Sequence, residues 1–230
     1  MTNRYVFLYA SAMVIIVALV LSSAATLLRP LQERNMRIEK MQNILAAINV
    51  PASRAEAETL FNRYIPTTKI INHQGEEMEG DAFEVELQDE NRKDVSERQL
   101  PVYIAELDGE TLYILPLRGN GLWGPIWGYV GLKSDMATIA GANFDHASET
   151  PGLGAEISDA PFQEQFSGKR IFDQQGNFRP VRVVKGRAPA GDDHAVDGIS
   201  GGTITSNGVT NMLRDGLEVY KSYFEKMKTS

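Results

Sequence analysis

The sequence predicts an α+β fold: one N-terminal transmembrane helix, then a domain built on a mixed or antiparallel sheet with flanking helices. Three observations carry that reading: an uncharged apolar run near the start, an AspGly pair between two β-rich stretches, and an amphipathic C-terminal tail. A chain of 230 residues has room for one membrane element and one domain with a real core, but not for two large domains.

From Val6 to Leu28 the run VFLYASAMVIIVALVLSSAATLL carries no charge. At about 1.5 Å per residue, a helix of this length crosses a hydrocarbon core of about 30 Å. Ser22–Ala25 offers the small residues of a signal cleavage site, but the run exceeds a usual signal core and only Arg4 and the α-amine precede it, so the reading is an uncleaved anchor. The basic residues Arg29, Arg34, Arg37 and Lys40 favour, by simple count, a cytoplasmic domain, with Glu33 and Glu39 diluting that flank. Pro30 marks a helix start or a kink. Beyond it Ile38, Met41, Leu45 and Ile48 form one helical stripe that ends at Asn49–Pro51, and Ser53 with Glu56 makes a capping box for a second short helix through Phe61. The expected organisation is an anchor at 1–28, a juxtamembrane helical region at 29–64 and a C-terminal domain at 65–230.

PVYIAEL and ETLYILPLRG flank Asp108–Gly109, a hairpin signal. Strands follow in IWGYVGL and ATIAGANF with a turn at Lys133–Asp135, and again in KRIF and FRPVRVVKG joined at Gly176. The tail GVTNMLRDGLEVYKSYFEKM reads as one helix starting near Ser206 or Asn207, its apolar side interrupted at Gly216. SGGTITS is then the loop before a helix N-terminus, where unpaired N–H groups favour an anion.

Composition narrows the chemistry. Without cysteine there is no disulfide, thiolate ligand or cysteine nucleophile. The formal charge is −7, and QGEEMEGDAFEVELQDE alone holds eight carboxylates and no basic residue, which argues against nucleic-acid binding. Within it EVELQDE alternates as an exposed strand does. His73, His146 and His194 lack ligand spacing, so no metal site is expected. Neither a nucleophile elbow nor a dinucleotide fingerprint is present, so no catalytic residue is assigned. The hydroxyl cluster at Ser200–Ser206 has two readings, helix capping or a covalent anchor for a prosthetic group on one threonine.

Over nearly its whole length the chain resembles the C subunit of the sodium-translocating NADH:quinone reductase, and more distantly the G subunit of the Rnf electron-transfer complex. The resemblance lies in the single N-terminal membrane segment, LLRPLQERNMRIEKMQNIL, GLWGPIWGYVGL at 121–132, ETPGLGAEI at 149–157 and VDGISGGTITSNGV at 196–209. The family signature, Asp, a short spacer, then Ser/Thr-Gly-Ala-Thr, falls on Asp197, Ser200, Gly201, Gly202 and Thr203, with Gly202 where the signature has alanine. The resemblance implies an FMN-binding domain with FMN held on Thr203 through a phosphoester, Thr205 being the second candidate. It further implies flavin contacts from Leu122, Trp123, Glu149, Thr150 and Leu153.

The same resemblance implies an electron-relay subunit, inactive alone, in a six-subunit complex of the cell inner membrane. Its soluble domain would be periplasmic, against the charge count, and an FAD-dependent flavin transferase would load it. A lone helix without ionisable residues offers Na⁺ no path. An Rnf-type subunit and a cofactor-free anchored assembly protein are the alternative readings.

Overall fold

The computed structural model describes residues 3–229. Two compact units divide the chain at Lys40 and Met41. Helix α1 (Asn3–Ala46) is the one described helix long and apolar enough to cross a membrane, and its apolar side chains from Tyr5 to Leu28 are almost all exposed. Pro30 lies inside α1 rather than at a start. It removes the rung to the Thr26 carbonyl, a cost of about 3 kcal/mol, which long helix on either side absorbs. Arg29 donates to Glu33 across the same turn at 2.9 Å.

In the second unit, Met41, Ile44 and Leu45 at the end of α1 are buried. Asn49 then takes φ 60° and donates from Nδ2 to the Ala140 carbonyl at 2.9 Å. Helix α2 (Ala57–Tyr64) follows with Glu56 as its N-cap residue. Ser53 donates its hydroxyl to the Glu56 carboxylate at 2.5 Å, and no side chain caps the helix, so the predicted capping box is replaced by a side-chain pair.

Strands β1 (Thr67–Ile71) and β2 (Glu77–Met78), a helical turn α3 (Leu87–Glu90), and strands β3 (Leu100–Leu107), β4 (Glu110–Asn120), β5 (Pro125–Leu132) and β6 (Ile139–His146) complete the first half of the domain. The strands form one antiparallel sheet in the order β2-β1-β3-β4-β5-β6. Asp108 and Gly109, at φ 53° and 82°, close the β3–β4 hairpin, both positive as a type I′ turn requires. EVELQDE is not an exposed strand. Val85 turns inward, α3 forms, and the buried Glu90 carboxylate accepts the Gln99 N–H at 2.9 Å and Lys93 at 2.7 Å.

Helix α4 (Ala160–Gln163), strands β7 (Arg182–Val184) and β8 (Ala195–Asp197), and helices α5 (Thr203–Glu218) and α6 (Lys221–Thr229) finish the fold. β7 and β8 pair in parallel as a separate small sheet. KRIF forms no strand. Arg170 bonds the Asp193 carbonyl, Ile171 that of Ala137, and only single bridges join Arg170 to Thr138 and Phe172 to Phe178, so no ladder can propagate.

The tail is two helices rather than one: α5 starts at Thr203, earlier than predicted, and gives way to α6 after Glu218. Gly216 does not interrupt the apolar side; a Cβ there would stand 2.9 Å from Leu117 Cδ2, so its bareness lets α5 sit close on β4. Alternation along β4 sends Tyr113, Leu115 and Leu117 into a core shared with Val130, Phe144, Phe166, Leu213, Leu217 and Phe224. Each such fully buried side chain contributes about 1.5–3 kcal/mol. The other face carries Tyr103, packed edge-on to Phe61, Phe83 and Tyr129.

Candidate functional site

Three segments meet at one end of the sheet. The first is the β4–β5 connection, where the Gly121 N–H donates to the Gly124 carbonyl at 2.8 Å and the turn lifts Leu122 and Trp123 outward, 48% and 65% exposed. The second leaves β6. The Ala147 N–H donates to the Pro125 carbonyl, and a tight turn follows in which the N–H groups of Leu153 and Ala155 share the Thr150 carbonyl at 3.1 Å. The third is the turn into α5, with Gly202 N–H on the Ile199 carbonyl and Ser206 N–H on the Gly202 carbonyl.

Between them lies a cleft of about 410 Å³ lined by Leu122, Trp123, Glu149, Thr150, Leu153, Gly154, Gly201, Gly202, Thr203, Ile204 and Thr205. All the predicted site residues except Asp197 and Ser200 line it. Those two line a neighbouring recess of about 320 Å³ with Gln165 and Glu156. There the Asp197 carboxylate accepts the Ala188 N–H at 2.7 Å and its own N–H donates to Gln165 Oε1 at 2.8 Å, which fixes the approach to the glycine turn.

The two candidate threonines occupy opposite environments. Thr203, the first residue of α5, is exposed to the cleft. Thr205 is 1% exposed and donates its hydroxyl to Glu149 Oε2 at 2.6 Å. Ser206 is buried as well, its hydroxyl accepting the Ile199 N–H. Gly202 is the N-cap position and no side chain caps the helix, so the N–H groups of Thr203, Ile204 and Thr205 have no partner among the described residues. Such an end stabilises an anion by hydrogen bonding and by the helix dipole.

Glu149 lines the cleft from a largely buried position, 5% exposed, with Oε1 accepting the Trp123 N–H at 2.8 Å. Its own N–H donates to His146 Nδ1 at 3.2 Å, which leaves the ring proton on Nε2. Ser148 pins the same loop by donating to the Trp123 carbonyl at 3.0 Å. Gly154, in the ETPGLG turn expected at the cleft, does line it, whereas Ile204, Ser148 and Gly121 are not singled out by the sequence. An isoleucine within a glycine- and hydroxyl-rich turn was the one available signal, since Ile204 is 55% exposed there. His73 and His194 lie outside the cleft. His194 is buried, and its Nδ1 pairs with the Arg170 carbonyl at 2.9 Å.

The donor set suits a ligand with a flat apolar part and a phosphate. Leu122, Trp123, Leu153 and Ile204 supply apolar surface, the end of α5 supplies N–H donors, and the volume falls in the range of small-molecule clefts, about 300–1,000 Å³. The exposed Thr203 hydroxyl belongs to the first residue of that helix.

Comparison with known proteins extends this picture. A family model described as the FMN-binding domain matches residues 121–218, a span that contains every residue lining the cleft. The C subunit of the Na(+)-translocating NADH-quinone reductase of Pseudomonas aeruginosa is 33% identical over 250 residues, with 95% of each chain covered. Its Yersinia pestis counterpart is 34% identical, covering 86% of this chain and 82% of the relative. Among solved structures, the C subunit from Parabacteroides distasonis superimposes with a TM-score of 0.80 at 48% identity, over 86% of this chain and 96% of that one. Shewanella oneidensis NqrC gives 0.73 at 29% identity, over 84% and 98%.

Proposed function

The chain belongs to the family of C subunits of the Na(+)-translocating NADH-quinone reductases, and from that premise we propose that it carries FMN on Thr203 through a phosphoester and relays electrons between neighbouring subunits. The observation that carries the assignment is the contrast between the two threonines: Thr203 is open to the cleft, whereas Thr205 is buried with its hydroxyl engaged by Glu149.

What this chain contributes to attachment is the Thr203 hydroxyl. Thr203 Oγ bonds to the flavin-side phosphorus of FAD, the pyrophosphate bond breaks, AMP leaves and the hydroxyl proton is released, a transfer carried out by a flavin transferase. The free N–H groups at the start of α5 hold the phosphodiester's charge, and Asp197 fixes the turn that presents Thr203. Leu122, Trp123, Leu153 and Ile204 would hold the ring by their apolar surface, Thr150 lining the same cleft. Bound in this way, FMN supplies the redox chemistry.

Partners are the other members of a six-subunit inner-membrane complex. Helix α1 is the anchor and the domain stands on the periplasmic side. In-gel flavin fluorescence after denaturing electrophoresis tests the linkage on full-length chain co-produced with a flavin transferase. The parent band fluoresces and Thr203→Ala is dark. A fluorescent Thr203→Ala band contradicts the assignment.

A further inference from the structure

Glu149 makes an unusual set of contacts for a residue beside an anion site. Both carboxylate oxygens are engaged by the protein: Oε1 by the Trp123 N–H at 2.8 Å and Oε2 by the Thr205 hydroxyl at 2.6 Å. The partners are 26 residues before it and 56 after it. Room for the carboxylate is made by two glycines. A Cβ on Gly121 would stand 2.5 Å from Oε1, and one on Gly154 would strike Oε2 and stand 2.5 Å from the Thr205 hydroxyl oxygen.

One buried side chain thus ties together the β4–β5 connection, the loop after β6 and the first turn of α5, the three walls of the cleft. A buried negative charge next to a bound phosphate is electrostatically unfavourable. The geometry therefore speaks for the carboxylate's two acceptors rather than for its charge.

We propose that Glu149 is a positioning residue for flavin attachment: by tying Trp123 to Thr205 it fixes the apolar wall relative to the N-terminal turn of α5 and presents Thr203 to the incoming phosphate. This rests on Thr203 being the attachment residue. Glutamine separates position from charge. In Glu149→Gln the amide oxygen accepts the Trp123 N–H while the amide nitrogen donates to Thr205 Oγ, which can accept. Alanine removes both ties.

The test is a time course of flavin incorporation, read by intact mass, on full-length parent, Glu149→Ala and Glu149→Gln incubated with FAD and a flavin transferase. Flavin absorbance and fluorescence of each folded product are recorded with its melting temperature. The expected result is a fall of about ten-fold or more in incorporation rate for Glu149→Ala, as for loss of the two hydrogen bonds that tie the cleft walls together. Glu149→Gln recovers most of that loss and shows the parent's flavin spectrum.

Parent-like rate and spectrum in a folded Glu149→Ala overturn the proposal. So does a folded Glu149→Gln as impaired as alanine, which would make the charge itself the requirement. If Glu149→Ala does not fold, Thr205→Val takes its place: it keeps the shape, removes one tie and is expected to slow incorporation, and a parent-like rate overturns the proposal. A parent that takes no flavin at all instead removes the Thr203 reading on which the proposal rests.

Discussion

At the scale of single residues, the turn before α5 shows how one missing methyl is tolerated. An alanine at Gly202, as in the family signature, would bring Cβ to 2.9 Å from Ile199 Cγ2 and 3.4 Å from the Leu153 carbonyl carbon. Rotation of the partly exposed Ile199 side chain can move that methyl, while Ile199 Cβ, 3.1 Å away, must give by a few tenths of an ångström. Gly202→Ala is therefore expected to change stability by no more than about 1 kcal/mol and to take up flavin like the parent; a collapse in melting temperature would show the turn to be tighter than the contacts indicate. Gly201 differs, because its φ of +75° is combined with a Cβ position 2.5 Å from Leu153 Cδ2. Gly201→Ala should cost about 1–2 kcal/mol, read as a lower urea midpoint. The sequence could place all these residues in one glycine- and hydroxyl-rich turn but could not rank Thr203 above Thr205, because what separates them is a carboxylate 56 residues away.

At the scale of elements, helix α5 and the β5–β6 turn carry the predictions. Gly208 faces the Asn120 carbonyl so closely that a Cβ would strike it. Gly208→Ala should destabilise by about 1–3 kcal/mol despite its better helix propensity, and an unchanged urea midpoint would contradict the close α5–β4 contact. In the turn, Asp135 accepts the N–H groups of Ala137 and Thr138 and the Thr138 hydroxyl at 2.6–2.9 Å. Burial pushes its pKa up, but the bonds from Thr138 and Ala137 and the charge of Arg170 outweigh that and hold it below the ordinary 3.8. Its stabilisation is thus complete above that value and is lost as pH falls through the lowered folded value. Asp135→Asn should flatten the stability profile below about pH 4, as followed by urea midpoints; an unchanged acid slope would contradict it. Elements set by local pattern were legible: the AspGly hairpin, β5, β6 and the apolar helix. KRIF was not, because its N–H groups find scattered partners, and EVELQDE was not, because Glu90 is drawn inward by the distant Gln99 N–H.

At the scale of the whole molecule, a membrane anchor is joined to a domain whose cleft ends in an exposed hydroxyl. The chain has no cysteine, so a cysteine placed in the exposed loop at Gln174 reports topology without background. A membrane-impermeant maleimide should label Gln174→Cys in cells with only the outer membrane opened; labelling only after the inner membrane is breached would reverse the orientation. The central claim is chemical, and one measurement tests it most directly. Trypsin releases Ala188–Arg214 as a single peptide containing Ser200, Thr203, Thr205 and Ser206. Tandem mass spectrometry of that peptide from full-length chain made with its flavin transferase should place an addition of roughly 440 Da on Thr203. The same addition on Thr205 or Ser200, or an unmodified peptide despite an active transferase, would contradict it.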